Sequence, residues 1–118
     1  MVMAGGAVGS GLRYMVGLLC YRWHFTTMPL GTILVNLIGC LILGMILGMA
    51  ERYSSFSQSV FLMVSVGLCG AFTTFSAFTA DTFRLISNGQ ELMAIGYLCL
   101  NVIGGFLLFY IGRIIFVH

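Results

Sequence analysis

Five arginines and three acids are the only charged side chains in this chain of 118 residues: Arg13, Arg22, Glu51, Arg52, Asp81, Arg84, Glu91 and Arg113. Long apolar runs lie between them, and there is no lysine. A helix needs about 20 apolar residues to cross the hydrocarbon core of a bilayer. The chain thus has length for about four crossings and none left for a soluble domain. Charged residues make up 7% of it and hydrophobic ones 60%, whereas soluble domains carry about a quarter charged residues. The fold class expected is an all-α membrane protein, a single domain over 1–118 with spans at about 2–20, 30–50, 58–85 and 91–116.

The segment Met1–Cys20 is read as the first span and not as a signal peptide, because no basic region leads it and Arg13 interrupts the apolar core. Pro29 stands where a helix start tolerates it. Glu51 to Ser57 reads as a loop, and Ser87-Asn88-Gly89 as a turn. Cys20, Cys40, Cys69 and Cys99 fall one to each span among apolar neighbours. They read as small buried hydrophobes, not as a metal site or disulfides.

Gly67 to Phe78, G-L-C-G-A-F-T-T-F-S-A-F, is written like a turn inside an apolar span. Glycines and adjacent threonines suit a helix that opens, and the interruption is expected around Gly70 to Thr74. An unsatisfied backbone group in hydrocarbon costs several kcal/mol, so such a break survives only inside protein or beside a wet cavity. Broken helices at membrane depth mark ion or substrate sites. Phe72, Phe75 and Phe78 recur every third residue there, interleaved with Ser76 and Thr79. The stripe is either packing or a set of ring edges, which carry the positive part of the aromatic quadrupole and support an anion.

Other polar residues raise the same choice. Arg13 inside the first span faces a wet vestibule that draws anions, or snorkels to the interface. Asn36 is inter-helix glue or a pore donor, and Thr32 lies one turn before it on the same face. Asn101 and Tyr97 repeat this arrangement in the fourth span. Asp81 and Arg84, spaced i, i+3, read as a local ion pair or as the fringe of a vestibule, the pair being favoured. His24 and His118 are isolated at the edges, and no nucleophile–base pair, phosphate loop or metal-ligand set is present, so no enzymatic role is expected. Gly5 and Gly9, like Gly44 and Gly48, form G-x-x-x-G pairs that let helix backbones approach closely.

Positive charges at or near the span ends divide evenly. Arg52 and Arg113 fall on one side, Arg22 and Arg84 on the other. Arginine and lysine bias sets orientation, and a chain without bias is expected to insert both ways. Two oppositely inserted copies can then pair about an axis in the membrane plane.

Three motifs together resemble the Fluc (CrcB) fluoride channels. They are G-G-A-V-G-S-G-L-R-Y at Gly5–Tyr14, G-T-I-L-V-N-L-I-G at Gly31–Gly39 and the Gly67–Phe78 segment. The resemblance implies an antiparallel dual-topology homodimer in a bacterial cytoplasmic (inner) membrane, exporting fluoride passively. It implies a path lined by Asn36, Phe75, Phe78, Ser76, Tyr97 and Arg13, to which the reading of the residues adds Thr32 and Asn101. It also implies one structural Na+ at the dimer centre, held by the backbone carbonyls of Gly70 and Thr73. The partners it implies are an inverted second copy, fluoride and lipid, with no nucleic acid. Asn101 and Gly105 stand where the family commonly has span-four hydroxyls, and Ala77 where threonine is frequent. The alternative is a proton-coupled small multidrug exporter, which needs a membrane-embedded carboxylate. Residues 1–50 hold no Asp or Glu, and Asp81 is the only acid near a span interior. A membrane scaffold that transports nothing leaves the interruption unexplained.

Overall fold

The structure, a computed structural model, describes residues 1–23 and 26–118. His24 lies outside the described residues. All regular elements among the described residues are helical: α1 (Val2–Arg22), α2 (Leu30–Arg52), α3 (Gln58–Leu62), a π-helical segment (Met63–Cys69), α4 (Gly70–Phe72), α5 (Phe75–Ser87) and α6 (Glu91–Val117). Four helical stretches are long and apolar enough to cross a membrane: Val2–Arg22, Leu30–Arg52, Gln58–Ser87 and Glu91–Val117.

Glu51 and Arg52 belong to the last turn of α2 and not to a loop as expected. Partners on α6 explain the extra turn. Arg113 Nη2 pairs with Glu51 Oε2 at 2.8 Å, and Arg52 Nη1 donates to the Phe116 carbonyl at 3.0 Å. The next helix starts with a side-chain cap, the Val60 N–H donating to Ser57 Oγ.

α2 and α6 form the main packed pair, and they run parallel. Asn36 meets Asn101 across an offset of 65 residues. The same offset places Cys40 beside Gly105, Gly44 on the Phe109 backbone and Gly48 on the Arg113 backbone. A Cβ at Gly44 or Gly48 would strike those carbonyls, so the small residue is what lets the axes approach. Gly5 and Gly9 do the same for α1 against the π-helical segment and α4.

That segment is wider than an α-helix, with i→i+5 bonding over Met63–Cys69. Gly67 inside it rests on the Val2 carbonyl and on Gly5 of α1. The backbone then leaves the helical region for two residues only. Thr73 (φ −76°, ψ 156°) and Thr74 (φ −149°, ψ 119°) are extended. Gly70, expected within the interruption, stays helical at φ −62°, ψ −36°. Thr74 starts the next helix itself, its Oγ1 accepting from the Ala77 N–H at 3.3 Å. A threonine cap and not a glycine hinge therefore sets the position of the turn.

The aromatic stripe does not survive as one face, because the extended pair resets the helical phase. Phe72 is buried, Phe78 half-buried, and Phe75 80% exposed. The cysteines also divide. Cys69 is buried, Cys20 and Cys40 are half-buried and Cys99 is exposed, all four as free thiols. The expectation of four buried thiols thus holds for Cys69 alone, since α6 turns Cys99 outward.

Candidate functional site

Asn36, midway along α2, captures the extended backbone. Its Oδ1 accepts from the Thr74 N–H at 2.9 Å, and its Nδ2 reaches the Thr74 carbonyl at 3.5 Å. Nδ2 also donates to Asn101 Oδ1 at 2.9 Å, and Asn101 Nδ2 donates to the Tyr97 carbonyl at 2.9 Å. In a continuous helix the Thr74 N–H would go to the carbonyl of Gly70. Asn36 diverts it, so the Gly70 carbonyl loses its helical donor. Gly39, one turn along α2, is buried against the Thr73 methyl and the Phe72 ring; a side chain there would displace both.

Asp81 gathers the donors on the other side of Thr74. Its Oδ1 pairs with Arg84 Nη2 at 3.1 Å, as the i, i+3 spacing indicated. Its Oδ2 accepts from Thr32 Oγ1 at 2.7 Å and from the Tyr97 hydroxyl at 3.2 Å. The carboxylate is thus shared by α2, α5 and α6. Local spacing shows the arginine but not the two hydroxyls, because they come from other spans.

Two cavities flank this cluster. The larger, about 620 Å³, is lined by Arg13, Thr32, Asp81, Arg84, Gln90 and neighbouring loop residues. Arg13 is exposed there and has no hydrogen-bond or ion-pair partner among the described residues. The smaller, about 350 Å³, is lined by Asn36, Cys40, Ser65, Cys69, Gly70, Thr73, Phe75, Phe78 and Asn101, among others. Among the described residues Thr74 alone lines both. The cavities therefore share as a wall the residue whose backbone Asn36 holds.

Each residue expected at the site can now be placed. Asn36, Asn101, Phe75 and Phe78 converge on the smaller cavity, with Gly70 and Thr73 beside them. Phe75 and Phe78 lie 5.7 Å apart, tilted by 45°. Thr32 and Arg13 line the larger cavity. Tyr97 is wholly buried and lines neither; its ring stacks on Phe78 at 5.5 Å while its hydroxyl goes to Asp81. Ser76 is exposed on α5, its Oγ 3.3 Å from Thr74 Oγ1, and also lines neither. The reading of the residues missed Asp81 as a hub, Thr74 as the shared wall and the π-helical segment. Of these only Thr74 had a signal, as a cap residue three before Ala77 in a T-T-F-S-A run.

Four apolar spans, with polar side chains gathered where one of them turns, define a multi-pass membrane protein. Its chain belongs to the CrcB family: the family model described as CrcB-like protein, Camphor Resistance (CrcB), matches residues 1–113. It is similar to the fluoride-specific ion channel FluC of Chloroflexus aurantiacus, 41% identical over 111 residues, covering 94% of this chain and 88% of the relative. The corresponding protein of Flavobacterium psychrophilum is 36% identical over 114 residues, covering 97% and 92%. That of Azobacteroides pseudotrichonymphae is 37% identical over 105 residues, covering 89% and 84%.

Proposed function

We propose that this chain is a fluoride-selective channel and not an enzyme, exporting fluoride passively across a bacterial inner membrane as an antiparallel homodimer. The observation that carries the reading is the junction at Thr74. There an anion-attracting cavity holding Arg13 shares a wall with a cavity lined by amides and phenylalanine rings. The relatives named as fluoride-specific channels point the same way.

An anion entering from the Arg13 side is drawn by a guanidinium with no acidic partner among the described residues. Past Thr74 it meets Asn36 and Asn101 and the rings of Phe75 and Phe78. Amide hydrogens and ring edges take over from the ion's water. A narrow path with dense donors favours fluoride over the larger, less tightly hydrated chloride, the logic of a cation filter with the sign reversed. The electrical and concentration gradients suffice to drive export, so no coupled proton is needed. The exporter alternative needs a carboxylate free to exchange protons with a substrate cation, and Asp81 already holds Arg84, Thr32 and Tyr97.

The dual-topology dimer is supported by two features. Phe75 and Phe83 stand 80% and 71% exposed on α5, an outward face that one chain leaves uncovered. Arginines at the two loop sides are balanced, Arg52 and Arg113 against Arg22 and Arg84.

The Gly70 and Thr73 carbonyls would hold the structural Na+. The fit rests on the diverted Thr74 N–H, which frees the Gly70 carbonyl at a half-helix C-terminus, the place where unwound carbonyls bind sodium in transporters. When bound, the ion supplies a positive charge that offsets those open oxygens.

Purified protein in liposomes loaded with fluoride or chloride tests the reading. Fluoride efflux is expected without chloride efflux, impaired by Asn36→Ala or Phe75→Ala. Vesicles that release drug cations and no fluoride would discard it.

A further inference from the structure

We propose that the thiol of Cys40 lines the ion path one helical turn beyond Asn36 and is the anion's polar contact in that layer. This rests on the channel reading above.

The α2–α6 pair advances in steps of four residues. At one step the two amides, Asn36 and Asn101, are bonded. At the next, neither helix offers an oxygen or an amide: α2 presents Cys40, and α6 presents buried Gly105. Cys40 Sγ lies 3.3 Å from where a Cβ on Gly105 would stand, so the thiol occupies the room that the glycine leaves. At the following step Gly44 closes on the Phe109 backbone.

After Cys40 no side chain of α2 carries a polar hydrogen until Arg52. Cys40 is half-buried and lines the same cavity as Asn36, Phe75, Phe78 and Asn101. Other polar groups on that wall are committed or covered. Ser65 Oγ donates to the Phe61 carbonyl at 2.6 Å, and Cys69 is only 3% exposed. A thiol is a weak donor. Facing a glycine, it makes this layer roomier and weaker in donors than the amide layer before it. That suits an ion which must be released after being held.

The test uses the full-length protein in fluoride-loaded liposomes and the small neutral reagent methyl methanethiosulfonate. The Cys40 thiolate forms a bond to the reagent's divalent sulfur. Methanesulfinate leaves with the electron pair of the broken S–S bond, and the thiol proton passes to buffer. A methylthio group is left filling the layer. A variant that keeps Cys40 alone (Cys20→Ala, Cys69→Ala, Cys99→Ala) should lose most of its own untreated fluoride efflux, and dithiothreitol should restore it. Cys40→Ala with the other three cysteines present should keep its own untreated rate after treatment. Should the triple replacement fail to fold, wild type and Cys40→Ser are treated instead. Loss in the first and none in the second is then expected, and equal responses would overturn the assignment. Mass spectrometry reads labelling independently of transport. Complete labelling of Cys40 with undiminished efflux would remove Cys40 from the path. So would a Cys40 that is labelled only after denaturation. Wild-type vesicles that pass no fluoride before any reagent is added would overturn the channel reading instead.

Discussion

A single amide does two jobs at Asn36. It replaces the helical partners of Thr74, accepting from its N–H at 2.9 Å, and it links α2 to α6 through Asn101. The structure shows the glue role: both amide hydrogens and the acceptor are engaged, so a pore-donor role requires Nδ2 to give up its long 3.5 Å contact with the Thr74 carbonyl. Losing it leaves a backbone N–H without a partner at membrane depth, a cost of about 1–3 kcal/mol. Asn36→Ala should speed hydrogen exchange at the Thr74 amide and lower thermal stability in detergent, while Asn36→Asp, which keeps the acceptor oxygen, should retain Thr74 protection. Equal protection in wild type and Asn36→Ala would show that the amide does not hold this turn. The sequence made Asn36 and Asn101 legible as candidates because a polar group in an apolar span must face something polar, and Phe75 and Phe78 through a stripe interleaved with hydroxyls. It could not show that Tyr97 and Thr32 spend their hydroxyls on Asp81. Helical spacing reports neighbours on one helix and says nothing of a carboxylate on another.

Between elements, glycine decides the spacing. Gly44 and Gly48 meet the α6 backbone directly, and Gly112 meets α2 at the Leu41 carbonyl. Gly48→Leu should prevent α2 and α6 from closing and abolish monodisperse protein on gel filtration, whereas leucine at Gly11, which faces open space, should be tolerated. Equal behaviour of the two variants would refute the close approach. The G-x-x-x-G pairs were legible as packing motifs, but their partners were not, because small residues at that spacing fit any helix. The turn in the third span was legible from G-L-C-G-A-F-T-T; its extent was not. Gly70 stays helical because nothing on its side forces it out, and the extended backbone falls where Asn36 reaches it. The π-helical segment left no pattern in the sequence, although Gly67 within it packs directly on the α1 backbone.

At the scale of the whole molecule, the four spans were readable from the length of the apolar stretches despite Arg13, Asp81 and Arg84 within them, since stretches of about 20 apolar residues cross as helices. The proposed dimer and cation would cover the exposed α5 face and the Gly70 carbonyl that lost its helical donor. Replacing Na+ by N-methyl-D-glucamine throughout purification should lower the melting temperature of the protein in detergent, with recovery on adding Na+. An unchanged melting temperature would count against a structural cation at Gly70 and Thr73. The path itself is tested most directly by the reversal potential of current through the protein in a planar bilayer, with unequal fluoride and equal chloride on the two sides. A reversal at the fluoride equilibrium potential, unmoved when the chloride is then made unequal, is the predicted result. A reversal that follows chloride, or a bilayer that carries no current with protein inserted, would contradict a fluoride path through the Thr74 junction.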